Sequence, residues 1–201
     1  MGADGQGALG GTRPARKRRP KHDITFRAIG QALSQWEYFE GNLSLTFSYL
    51  LGTGYGNLAA LRAYGSVESF RGRANLLEHA AEVYFEFKPN DDLHKLLSGL
   101  LKDATSKFSA RRNEIAHVIV NQYFVEKGQT TTFKGYVLYP AYYATRKRDL
   151  PKPGFPLFDT TPSYIYSSLE INQFGRQFEN LANRAIEVLT HVTRHDVLVT
   201  Y

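Results

Sequence analysis

Apolar residues recur at three- and four-residue spacing through four long stretches of this 201-residue chain, the periodicity of helices that each bury one face. The first runs from Asp23, an N-cap residue, to Leu51 before Gly52, with Phe26, Ile29, Leu33, Trp36, Leu43, Phe47 and Leu50 as its stripe. The second starts at Ser66 and ends before Pro89, with Val67, Phe70, Ala74, Leu77, Ala81 and Tyr84 facing inward. Asn90-Asp91-Asp92 opens the third with acidic residues in the first turn, and Leu93, Leu97, Leu100, Ala104, Phe108, Ile115 and Val118 or Ile119 form its apolar face. The last begins at Ser167 or Ser168, where Ser167-Ser168-Leu169-Glu170 fits a capping box, and carries Ile171, Phe174, Phe178, Leu181, Ala185, Val188 and Val192.

The links are distinct in kind. Gly52-Thr53-Gly54-Tyr55-Gly56-Asn57 follows a helix rather than a strand, so it reads as a C-cap and connector and not as a phosphate loop. After Val120 the period shortens: Gln122 to Val125, a turn at Glu126-Lys127-Gly128-Gln129, and Thr130 to Tyr139 predict a hairpin. Pro140 to Pro162 is rich in loop residues. The expected fold is all-α: an antiparallel up-and-down bundle of about four long helices over 23–201, with a β-hairpin and loop insertion at about 120–162 between the third and fourth.

Charge changes the picture at one end only. Net charge is +6, yet residues 1–22 hold six Lys/Arg (Arg13, Arg16, Lys17, Arg18, Arg19, Lys21) against Asp4 alone, leaving 19 Lys/Arg and 18 Asp/Glu elsewhere. The high pI belongs to this tail, expected to be disordered: either a solvated leader or a phosphate-gripping arm. No cysteine is present, which removes disulfides, thiolate nucleophiles and cysteine-based zinc sites and suits a reducing cytoplasm. No run reaches the ~20 apolar residues of a membrane span, the basic N-terminus lacks the apolar core of a secretory signal, and Gln6 spoils a myristoylation reading of Met1-Gly2. Neither a membrane partner nor a cofactor is expected.

Polar residues that break the stripes are the candidates for chemistry. Glu40 occupies an apolar slot between Trp36 and Leu43, where a carboxylate must be paired, exposed at a cleft or protonated; Arg71 or Arg112 would make it part of a functional cleft. Arg71 and Arg73 lie near the start of the second helix, where positive charge opposes the helix dipole and a compensating anion is expected, either Glu68 and Glu78 or an RNA phosphate. In Ala110-Arg111-Arg112-Asn113-Glu114-Ile115-Ala116-His117, helical geometry puts Asn113 and His117 on nearly one face and turns His117 about 160° away from Ile115 and the core.

Arg112-Asn113-Glu114-Ile115-Ala116-His117 resembles the Arg-polar-x-x-x-His signature of HEPN (higher eukaryote and prokaryote nucleotide-binding) domains, many of which are metal-independent ribonucleases of toxin and defence systems. The resemblance implies catalytic roles for Arg112, Asn113 and His117, with two copies of the motif meeting across a homodimer, RNA as substrate and a cognate inhibitor protein as a possible partner. Such hydrolysis uses the RNA 2′-hydroxyl and needs a proton-transfer group and fixed positive charge, roles open to histidine and arginine. Glu114 is expected to pair with Arg111 or Lys107. The competing reading is a solvated helix end with local ion pairs, or a non-catalytic helical module that holds a partner protein, nucleotide or RNA; His117 capped by Glu40 or Glu82 would favour it.

Further substrate contacts are assigned to Glu40, Arg71, Arg111, Tyr142, Arg146 and Arg148. Tyr136, Tyr139, Tyr142 and Tyr143 lead into Arg146-Lys147-Arg148, with Tyr164 and Tyr166 beyond, a mixture that suits single-stranded nucleic acid or, equally, packing of the insertion on the bundle. His191 and His195 have metal-compatible helical spacing but no evident third ligand, and read as an exposed helix end.

Overall fold

Small residues decide where the two longest helices meet. In a computed structural model that describes residues 22–141, 162 and 164–199, with side chains through residue 195, α1 (Asp23–Leu50) and α6 (Ser168–Val199) form the principal packing pair. Gly175 lies directly over Ala32, and Trp36 meets Phe178 edge-on one turn further along. This close approach selects Ala28 and Ala32 for the interior and turns Phe26, expected in the core, out to solvent. Phe39, absent from the sequence stripe, is fully buried against Trp36. The chain is mostly helical, as expected, with a small antiparallel sheet.

The connector after α1 contains an unexpected helix, α2 (Leu58–Gly65), capped by the Asn57 side chain accepting from Ala59 and Ala60 N–H. Its Tyr64 reaches back to Phe47, so the chain returns along α1. The next helix, α3 (Phe70–Phe87), therefore starts beside Trp36 and ends near Leu50. Its cap is Ser69 rather than Ser66. Because α2 consumes the return leg, α1 and α3 run parallel, and α6 advances in the same direction along α1. The alternation of an up-and-down bundle is thus broken, although α4 (Asp91–Asp103) runs opposite to α3 and α6, as the Glu78–Ser98 and Asp103–Arg184 contacts fix. Asn90 caps α4 as anticipated, accepting from Leu93 N–H.

The expected third helix is three pieces: α4, a π-helical turn over Ala104–Phe108, and α5 (Ser109–Ala116). It stops at His117, short of Val120, because Val118-Ile119-Val120 enters β1 (Val118–Lys127). This strand pairs with β2 (Thr130–Pro140) around Gly128, whose φ of 61° suits the tight turn. Lys134 is an extra residue opposite the Tyr123/Phe124 step, a bulge beside Gly135 at φ 138°. The short β3 (Tyr166–Ser167) adds to β2 and leads directly into α6. There Ser167 and Glu170 form the anticipated capping box: Ser167 N–H donates to the Glu170 carboxylate at 2.8 Å and Glu170 N–H to Ser167 Oγ at 3.4 Å. No helix among the described residues is long and apolar enough to cross a membrane. The expectations for residues 1–21 and for most of the 140–162 stretch lie outside the described residues.

A methyl group added at Gly175 would meet Ala32 at 3.5 and 3.6 Å, an ordinary contact. Gly175→Ala should therefore raise stability by up to about 1 kcal/mol through helix propensity. Gly175→Leu should overpack the crossing and lower it by about 1–3 kcal/mol; the two shifts in opposite directions are read from urea unfolding.

Candidate functional site

Helix α5 has only two buried residues, Glu114 and Ile115, and they fix its rotation. Ile115 sits in the core, and beside it the Glu114 carboxylate accepts hydrogen bonds from the Arg111 guanidinium and, at 2.7 Å, from the Tyr166 hydroxyl. Arg111 also donates to the Tyr166 oxygen, closing a three-membered cluster. Burial first, and then the Glu114 carboxylate, push the Tyr166 hydroxyl up to about 12, so it stays a proton donor. The expected Arg111–Glu114 pair is therefore present, while Lys107 pairs with Asp103 at 2.6 Å. Arg111, expected to contact substrate, is engaged in this cluster.

With Glu114 and Ile115 inward, Asn113 and His117 are exposed and Arg112 is half-buried at the flank of the helix. Arg112 Nη2 donates to Glu37 of α1 at 3.1 Å, and Nη1 donates to Asn113 Oδ1 at 3.3 Å. Glu37 is 65% exposed, and an ion pair of that kind is worth only about 0–1 kcal/mol. Arg112 Nε is shielded from solvent without a hydrogen-bond partner. His117 closes the helix as its C-cap: its N–H donates to the Asn113 carbonyl at 3.2 Å, and its own carbonyl accepts from Ala141 N–H. The imidazole is exposed and bonds to no described side chain. Asn113 thus serves Arg112 with its side chain and His117 with its backbone only. Neither suggested cap reaches His117, since Glu40 pairs with Arg73 and Glu82 with His79.

Glu40 is 6% exposed. It accepts from the Trp36 indole N–H and forms a 2.7 Å ion pair with Arg73 of α3. The partner is an arginine of a neighbouring helix, but neither Arg71 nor Arg112, because α3 starts level with Trp36 and aims Arg73 at this point. Burial raises the Glu40 carboxyl above its ordinary value; the Trp36 bond, Arg73 and the more distant Arg112 pull it down without overcoming that penalty, and Glu37 adds to it. The buried Tyr64 hydroxyl beside this pair is raised as well, first by burial and then by the Glu40 charge. Arg73, Tyr64 and Glu37 were not assigned from sequence; each becomes recognisable only once α2 and α3 are laid against α1.

The remaining candidates are dispersed. Arg71 is exposed and lines a separate cleft between α3 and α4. Tyr142, Arg146 and Arg148, with Tyr143 and Lys147, lie outside the described residues. Tyr164 stacks on Tyr166 at 5.2 Å, so packing rather than a free stacking face accounts for this pair. On the hairpin, Phe133 contacts both Phe124 and Tyr136, each at 5.5 Å between ring centres. His195, expected at an exposed helix end, is partly buried and hydrogen bonds with the Tyr84 hydroxyl at 3.3 Å. No group of three or more metal-binding side chains converges among the described residues. Comparisons with protein-family models, curated proteins and solved structures returned no match.

Removing Arg73 leaves the Glu40 carboxylate buried without its cation, so Arg73→Ala should cost about 3 kcal/mol. A carboxyl whose folded value is raised binds its proton more tightly in the folded state, so its contribution to stability is full below the unfolded value near 4.5 and is lost as pH rises through the folded value. The stability of the wild type relative to Glu40→Gln should accordingly be highest below pH 4.5 and decline above it; urea titrations at a series of pH values give this difference, and a flat profile would show that Glu40 titrates normally.

Proposed function

We propose that this chain is a HEPN-like, metal-independent endoribonuclease of toxin-like character that acts as a homodimer, with Arg112, Asn113 and His117 as the catalytic group. The observation that carries the reading is the outward-facing, unpartnered His117 at the end of the same short helix that presents Arg112 and Asn113. In this reaction His117 accepts the proton of an RNA 2′-hydroxyl. The resulting oxygen attacks the adjacent phosphorus, the bond to the 5′-oxygen breaks, and that oxygen takes up a proton from the second imidazole of the dimer. The products are a 2′,3′-cyclic phosphate and a 5′-hydroxyl. Arg112 holds the non-bridging phosphate oxygens as charge builds on them, and Asn113 keeps the guanidinium oriented. Glu37, exposed and weakly bound, yields its place on Arg112 to the phosphate. A cytoplasmic setting and a cognate inhibitor protein belong to the same proposal.

A second reading is favoured by that same Glu37 contact. Arg112 already has two side-chain partners, Glu37 and Asn113, and a helix end so satisfied suits a non-catalytic module that docks a protein, nucleotide or RNA without turnover. The two diverge in a cleavage assay on mixed structured and single-stranded RNA in EDTA. The ribonuclease reading predicts cleavage by the wild type and a loss of about a hundredfold or more in His117→Ala and Arg112→Ala, both variants remaining folded and dimeric. RNA that binds and stays intact would favour the docking module. Deleting residues 1–22 should leave cleavage in place while removing any binding that the basic tail alone supplies.

A further inference from the structure

Arg71 stands near the first turn of α3, where a cation opposes the helix dipole unless an anion compensates it. The two acidic residues within reach along the sequence do not do so. Glu68 forms no ion pair among the described residues, and Glu78 spends a carboxylate oxygen on the Ser98 hydroxyl. Arg71 instead opens onto a cleft of 460 Å³ between α3, α4 and the π-helical turn. A second cation, Lys102, lines the opposite wall and also lacks a carboxylate partner. Three nearby cations are paired: Arg73 with Glu40, and Lys107 and, from α6, Arg184 with Asp103. Arg71 and Lys102 are the two that line this one cleft without a carboxylate partner among the described residues.

Two neutral donors accompany them. Asn75 lies one turn beyond Arg71 on α3, and Thr105 one turn beyond Lys102 within the π-helical turn; both line the cleft, and neither side chain is engaged as a donor. A fork, an ammonium, an amide and a hydroxyl converging on one space match a tetrahedral oxyanion with several acceptor oxygens. Glu78 and Ser98 supply acceptor oxygens beside them, which suits hydroxyl groups carried next to the phosphate. The volume lies in the range of small-ligand sites. None of Arg112, Asn113 and His117 lines this cleft.

We infer that the α3–α4 cleft binds the phosphate of a nucleotide or nucleic-acid strand through Arg71, Lys102, Asn75 and Thr105, independently of the chemistry at α5. Calorimetric titration of the full chain with inorganic phosphate, with adenosine 5′-monophosphate and with a short single-stranded oligodeoxyribonucleotide, which has no 2′-hydroxyl to react, tests it. At least one probe should bind, with affinity reduced about tenfold in Arg71→Ala and in Lys102→Ala, each removing one charge-assisted contact. Both variants should unfold thermally as the wild type does. Binding of phosphate and the mononucleotide would assign a free phosphate group, and binding of the oligonucleotide alone a strand. Failure of all three probes to bind, or affinity indifferent to Arg71 and Lys102, would overturn the inference.

Discussion

The burial of the Glu114 carboxylate is the constraint on which the candidate site depends. An ionised carboxylate taken out of water without partners costs several kcal/mol, and the chain offsets this with Arg111 from the same helix and Tyr166 from β3. The contact spans 52 residues and closes the leg that leaves α5 through the hairpin and returns to α6. With Glu114 held there and Ile115 in the core, α5 turns Asn113 to solvent and leaves Arg112 half-buried at the flank, while His117 is exposed at the C-cap. The chemistry proposed for the outer side thus rests on an ion pair that takes no part in it.

A second buried carboxylate works on the same principle a few turns away. Glu40 joins α1 to α3 through Arg73, and Glu37, one turn earlier on α1, reaches Arg112 on α5. Two ion pairs therefore link α3 and α5 to the same stretch of α1, with the two carboxylates of like charge next to each other between the arginines. Arg112 is half-buried and held by the exposed Glu37 and by the Asn113 amide, an arrangement that orients the guanidinium. The parallel course of α1, α3 and α6 follows from the same region, since Arg73 meets Glu40 only because α2 has carried the chain back along α1.

The sequence pattern defined the long amphipathic elements well and their mutual geometry poorly. The α6 stripe from Ile171 to Val192 and its Ser167–Glu170 cap were legible because local hydrogen bonds and a strict period set them. Residue Phe26 was misplaced because hydrophobicity alone does not reveal that a neighbouring helix will approach over Ala28, Ala32 and Gly175. Helix α2 was hidden behind three glycines, although Asn57 before Leu58-Ala59-Ala60 is a local cap signal. At the site, the Arg111–Glu114 pair followed from helical spacing, whereas His117 is exposed as expected but from a non-helical C-cap position. The choice of Arg73 as the Glu40 partner, and the roles of Glu37 and Tyr64, depend on contacts between elements that no local period encodes. The end of α5 was missed for a related reason: Val118-Ile119-Val120 continues an apolar face equally well as helix or strand, and pairing with β2 decides for the strand.

The chemical identity of the termini on cleaved RNA tests the central claim most directly. Attack by a 2′-hydroxyl under the control of His117 and Arg112 predicts 2′,3′-cyclic phosphate and 5′-hydroxyl ends, formed in EDTA by the wild type and absent from products of His117→Ala. New 5′-phosphate and 3′-hydroxyl ends would mean that water is the nucleophile and would contradict the mechanism assigned to α5.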